Sequence, residues 1–329
     1  MALKTKNLWA KAGLLSFPGK TIPFWGFSSS ARGTPKLPGP IIEATVGDKI
    51  RIRLRNDIGE PVSIIFPGQD GIRAKFSDEW TFRPVQPRYS GGIIISLTDY
   101  LDAGTTKYIE YAFRVTKPGI YLYESGTNPE KQIQMGLYGI ILVRPFGYNL
   151  PFHPNYMTAY GAGTGSNYDV EKVLVLGEID SVMHNDVIPA VYYDMLKYKP
   201  DCWLINGRSF PDTLGSDNNS SQPSGSGISC RVGQRVLLRV INAGYQNHTF
   251  YLGGLMGRVV AGDSFPLMTP EVDATYEKTG VTLGSGQSFD IVFTPAASGE
   301  FYLYDREYNH LVNNEQFPGG MMTRMQVSP

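Results

Sequence analysis

The sequence is short of the residues that bind soft metals. It has two cysteines, Cys202 and Cys230, and four histidines, His153, His184, His248 and His310, with no His-x-His pair among them. It also lacks net charge: 30 basic residues balance 30 acidic ones, so no bulk field draws the chain to nucleic acid or an anionic membrane. The same neutrality leaves little long-range repulsion to oppose self-association. No run of about 18 apolar residues occurs, so no membrane-spanning helix is expected. The amino-terminal stretch "MALKTKNLWAKAGLLSF" is interrupted by Lys11 and does not read as a secretory leader. Nucleophile elbows, phosphate loops and dinucleotide fingerprints are absent.

What is present is β-strand texture. Short runs rich in Ile, Val, Tyr and Thr alternate with Gly, Pro, Asn and Asp. "KIRIRLRN" (49–56) puts Ile50, Ile52 and Leu54 on one face and Arg51, Arg53 and Arg55 on the other, the pattern of a half-buried strand. "KVLVLGEI", "RVLLRVIN", "FDIVFTP" and "EFYLYDRE" read similarly. Residues 190–200 suggest one or two helical turns. The chain also repeats itself. "VGDKIRIRLRN" from Val46 is echoed by "VGQRVLLRVIN" from Val232, "GIYLY" by "FYLY", and "GLYGIILVRP" by "PGGMMTRMQVSP". Three echoes in one order imply two copies of one β-domain. In 329 residues the expected layout is an arm at 1–19, a first domain at 20–150, a linker at 151–170 and a second domain at 171–329. Each domain is expected to be a Greek-key sandwich. The stretch "GSDNNSSQPSGSG" (215–227) has the composition of a flexible loop.

Several motifs resemble a known family. "LPGPIIEATVGDKIRIRLRN" (37–56) is similar to the opening of a multicopper oxidase first domain. "WLINGRSFPDT", "VGQRVLLRVINAGYQNHTFYL" and "RVVAGDSFPL" resemble its second domain, and "LYDREYNHLVNNEQFPGGMMTRMQV" that domain's last hairpin. The resemblance implies an all-β chain of two tandem cupredoxin-like sandwiches. It does not bring the copper ligands with it. The first His pair of the family would fall near "VSIIFPGQDG", where this chain has Ile64, Phe66 and Gln69. The second would fall at "YLYESG", where Glu124 stands in the usual His position. A blue-copper centre needs two His and a Cys thiolate, the Cys in the loop before the last strand. Neither such loop, 124–134 or 305–319, contains Cys.

The candidate residues follow from this. His248, His310 and Glu124 are the metal candidates, with His184 a possible neighbour of His310; His153 falls in the linker. Asp70, Asn128 and Glu130 are oxygen donors near Glu124 that form no recognised calcium loop. Cys202 and Cys230 flank the Ser/Gly-rich loop; a disulfide between them and a pair of free buried thiols are both open readings. Asn218, Asn219 and Asn247 sit in Asn-x-Ser/Thr triplets. Trp9, Phe24, Trp25, Tyr89, Tyr100, Tyr148, Tyr156, Tyr160 and Tyr168 are aromatic residues expected in loops or termini, where they suit interfaces. The main expectation is a non-catalytic, self-assembling subunit of an extracellular filament or a cell- or spore-surface layer, its partners copies of itself and no cofactor bound. The alternative is a copper-dependent oxidoreductase with a reduced or partner-completed site. A third reading is a binding module for a small ligand.

Overall fold

The computed structural model describes residues 1–187, 194–218 and 220–329. Two β-sandwiches follow one another along the chain. In the first, the larger sheet runs in spatial order Lys20–Ser28, Leu3–Phe17, Lys49–Asn56, Ile109–Arg114, Arg73–Phe76 and Arg83–Pro84. The smaller sheet is Gly119–Glu124, Tyr138–Arg144 and Gly39–Thr45. In the second, one sheet runs Cys202–Ile205, Val170–Ile179, Val236–Asn242, Ser288–Phe293, Gly257–Gly262 and Phe265–Pro266. The facing sheet is Ile228–Arg231, Met322–Ser328, Gly299–Asp305, His248–Tyr251 and Gly280–Leu283.

Side-chain alternation decides which way each strand faces. Ile50, Ile52 and Leu54 all point into the first core, as their period of two requires. The first echo is equally placed in both copies. Lys49–Asn56 pairs in parallel with Leu3–Phe17 and antiparallel with Ile109–Arg114. Val236–Asn242 pairs in parallel with Val170–Ile179 and antiparallel with Ser288–Phe293. Tyr138–Arg144 is apolar on both faces because both are covered. Ile141 and Val143 fill the first sandwich, while Tyr138 and Ile140 join Val175, Ile179, Leu204 and Ile241 in a cluster between the sandwiches.

Three expectations are corrected here, and one open reading is decided. Residues 1–19 are no loose arm: Leu3–Phe17 is an integral strand, with Leu8 and Ala10 facing the sandwich core and Leu15 and Phe17 the cluster between sandwiches. Phe24, Trp25, Tyr160 and Tyr168 are buried in their own chain rather than offered to a partner. Cys202 and Cys230 are free buried thiols. Their strands belong to different sheets, and Cys202 packs between the sandwiches while Cys230 packs inside the second. The loop 215–227 is tied down: the Arg208 guanidinium donates to the carbonyls of Asp212, Gly215, Ser216 and Gln222. One arginine thus gathers a segment whose composition alone gives no anchor.

Met195–Lys197 forms a single 3-10 turn, while 190–193 and Asn219 lie outside the described residues. Among the described residues no helix is long and apolar enough to cross a membrane.

Candidate metal centre

The second sandwich brings three potential ligands together. His248 opens the strand His248–Tyr251, Asp305 closes the adjacent strand Gly299–Asp305, and His310 ends the 3-10 turn Tyr308–His310 that follows. One donor atom from each lies within 4.8 Å of the others. Asp305 Oδ2 accepts from His248 Nδ1 at 2.7 Å and from His310 Nδ1 at 2.8 Å. Its other oxygen accepts the amides of Thr249 and Glu307. Burial alone would raise the Asp305 carboxyl, but the hydrogen bonds from His248 and His310 outweigh it and hold the pKa at about 2.

Glu178, from the strand Val170–Ile179 of the opposite sheet, approaches His248 from the other side. Its Oε2 is 3.1 Å from His248 Nε2. Its Oε1 accepts the Tyr198 hydroxyl and the amides of Tyr245 and Gln246. Gly244 makes room for this carboxylate, since a Cβ there would sit 1.9 Å from Glu178 Oε2. Burial opposes a charge on His248, yet hydrogen bonds to Asp305 and Glu178 win and raise its pKa to about 9. The metal-free cluster is therefore an imidazolium clamped between two carboxylates. Trp203 stacks on the His310 ring, centroids 3.5 Å apart and planes at 21°, which fixes that ring's orientation. His310 also lines a cavity of about 520 Å³ together with Tyr245, Asn247, Glu307 and Asn309.

Among the sequence candidates, His248 and His310 meet, and Asp305 is the only other member of a potential ligand group among the described residues. His184 does not join them; its ring bonds the carbonyls of Pro23 and Gln134. His153 caps the amide of Asn155. Glu124 belongs to the first sandwich, where its backbone exchanges hydrogen bonds with Ile65. Asp70, Asn128 and Glu130 form no ligand group with it among the described residues. Sequence reading missed Asp305 and Glu178. Asp305 had a signal: it opens the loop before the last strand, five residues from His310, where a thiolate was sought. Glu178 had none, because its 70-residue separation from His248 is closed only by sheet packing.

The first sandwich does not fit a multinuclear copper cluster. Ile64 and Phe66 are buried in its core, and Phe66 packs against Tyr111 and Phe113 with centroids 5.5 and 4.8 Å away. Hydrocarbon fills the positions where the resemblance puts imidazoles.

Glu124 carries a prediction of its own. Burial without a side-chain hydrogen bond or ion pair among the described residues pushes its carboxyl from 4.5 to about 7. Its folded pKa lies above the unfolded value, so folding takes up a proton between those two pH values. Stability therefore falls as pH rises through that window and levels off above it. Glu124→Gln should remove this dependence and stabilise the protein at pH 8 by about 1–3 kcal/mol. Urea unfolding at several pH values checks it; a wild-type-minus-variant difference that stays flat between pH 4 and 8 would refute the assignment.

Comparison with known proteins matches this architecture. Two profiles described as multicopper oxidase match residues 33–146 and 183–327. The chain is 25% identical over 286 residues to "Multicopper oxidase MmcO" of Mycobacterium tuberculosis (strain ATCC 25618 / H37Rv), covering 81% of this chain and 48% of that protein. It is 25% identical over 270 residues to "Putative laccase-11" of Oryza sativa subsp. japonica, covering 80% and 42%. It thus spans about half the length of the curated relatives it matches. A blue copper oxidase from Nitrosomonas europaea superposes with a TM-score of 0.71 at 20% identity, over 99% of this chain and 86% of that one. A copper nitrite reductase from the same organism gives 0.64 at 19% identity, over 99% and 94%. The fold likeness and the two matched profiles agree: this chain belongs to the multicopper oxidase family.

Proposed function

We propose that this chain is a copper-oxidoreductase-like protein whose metal chemistry is confined to one mononuclear centre, His248–Asp305–His310. The observation that carries the reading is the convergence of two imidazole Nδ1 atoms on one buried carboxylate oxygen, 2.7 and 2.8 Å away. Two nitrogens and a carboxylate oxygen suit copper(II) or zinc, with copper the stronger binder. Glu178 on the far nitrogen of His248 supplies the outer carboxylate that orients and strengthens a ligating imidazole. A divalent ion replacing the His248 Nδ1 proton would also balance the Asp305 and Glu178 charges. Bound copper would supply one-electron redox chemistry at the wall of the 520 Å³ cavity. Asp305 holds the third corner, where a blue-copper centre has its thiolate, so a bound copper lacks the soft ligand of such a centre.

The filament or surface-layer role finds no supporting observation in the fold or the relatives, and the oxidoreductase reading fits the relatives better. The test is copper loading followed by dialysis and elemental analysis. One copper per chain is expected, with a spectrum free of thiolate-to-copper absorption. Asp305→Cys is expected to add intense visible colour. Wild-type protein that retains no copper, or an Asp305→Ala variant that retains it as well as wild type, overturns the proposal.

A further inference from the structure

A groove of about 420 Å³ runs between the two sandwiches, and none of the metal cluster's residues lines it. Its size falls within the range of small-molecule sites, roughly 300–1,000 Å³. Part of its lining is apolar, from Pro40, Ile41, Leu142 and Val173. Lys172, on the strand Val170–Ile179, stands in its wall and also in the wall of an adjoining cavity of about 350 Å³.

The charges around this groove are unevenly satisfied. Arg144 pairs with Glu171 at 2.6 Å and reaches Glu43 at 3.6 Å. Asp217 has one oxygen engaged by the amide of Gly225. Among the described residues the Lys172 ammonium has no hydrogen bond and no ion pair, and neither does that of Lys36 on the same groove. Burial is the main influence on Lys172 and lowers its pKa; Asp217 opposes this from beyond ion-pair distance and Arg208 adds to it. A partly desolvated ammonium without a partner is a penalty that a bound anion relieves. Hydrocarbon beside it adds burial for an apolar body.

We propose that the groove between the sandwiches binds a small organic anion, a carboxylate carried on an apolar body, with Lys172 as its counter-charge. The site shares no residue with the metal centre and stands independently of the proposed function.

Calorimetric titration of the whole chain with benzoate and with benzyl alcohol tests this. The two probes differ in charge and share the ring. Benzoate is expected to bind at least tenfold more tightly, and Lys172→Met to weaken benzoate by about tenfold to a hundredfold, the range of a charge-assisted hydrogen bond. Lys36→Met should give a smaller loss, and benzyl alcohol should be indifferent to both changes. An unchanged urea unfolding midpoint in Lys172→Met shows that the variant is folded. Should that variant fail to fold, wild-type protein still decides the matter: benzoate must protect Lys172, above other lysines, from limited acetylation read by mass spectrometry. Equal affinity for the two probes, full benzoate affinity in folded Lys172→Met, or no protection of Lys172 overturns the assignment.

Discussion

Metal-free Asp305→Ala protein is expected to lose about 3–5 kcal/mol of unfolding free energy at pH 7, the range for breaking a buried charge pair from one side. The carboxylate is fully buried and accepts from both imidazoles and from the amides of Thr249 and Glu307. Alanine strands an imidazolium against Glu178 alone and leaves two amides without their acceptor. Asp305→Asn keeps the volume and one carbonyl, so its loss should be smaller, about 1–3 kcal/mol. Copper separates the structural role from the ligand role. Free copper at a hundred times its dissociation constant should stabilise the wild type by about 2.7 kcal/mol and leave Asp305→Ala unmoved. Urea unfolding with and without copper measures both quantities. A metal-free loss below about 1 kcal/mol would mean that the cluster is solvated, against the burial seen here.

Asp290→Ala should be comparably damaging, for a reason unrelated to metal. Arg239 is completely buried, and its Nε and Nη2 donate to Asp290 Oδ2 at 3.0 and 2.7 Å. Its guanidinium also lies 5.4 Å from the centroid of the Tyr160 ring. Removing Asp290 leaves an arginine that cannot shed its charge, with Glu171 at 3.5 Å its one remaining ion-pair partner among the described residues. A loss of about 3–5 kcal/mol is expected. The double change Arg239→Met/Asp290→Leu should recover most of it, because apolar groups of similar volume remove the desolvation penalty together with the pair. A double variant as unstable as Asp290→Ala would show that packing around Tyr160, not charge, dominates.

The Arg239 pair also shows where sequence reading stops. "KIRIRLRN" and "RVLLRVIN" place an arginine at equivalent points, and in both copies an acid stands directly across the ladder: Glu110 opposite Arg53, Asp290 opposite Arg239. Period-two alternation predicts that both arginines point away from the sandwich core, and both do. Yet the Arg53 side chain is 40% exposed and that of Arg239 is 0%. The difference comes from the segment after the first sandwich, whose Tyr160 and Tyr168 fold back over Leu237 and Val260. Composition marked that segment only as a turn-rich linker. Arg53→Met should accordingly cost less than Asp290→Ala: it takes the 2.5 Å partner from the buried Glu110 carboxylate but leaves Arg51 at 3.6 Å.

Local chemistry by itself determined the strands, the two-fold repeat, the lack of a long apolar run and the small number of histidines, with no His-x-His pair among them. These properties depend on alternation over a few residues or on simple counts, so no long-range contact is needed to read them. Tertiary structure alone decided the rest. It set Glu178, His248 and Asp305 side by side across sequence separations of 70 and 57 residues. It placed Cys202 and Cys230 in different sheets, turned the presumed arm into the strand Leu3–Phe17, and left Lys172, on a groove between two sandwiches, without an ion pair among the described residues. Each of these depends on which sheet covers which face, and the relevant contacts are made by residues far apart in the chain.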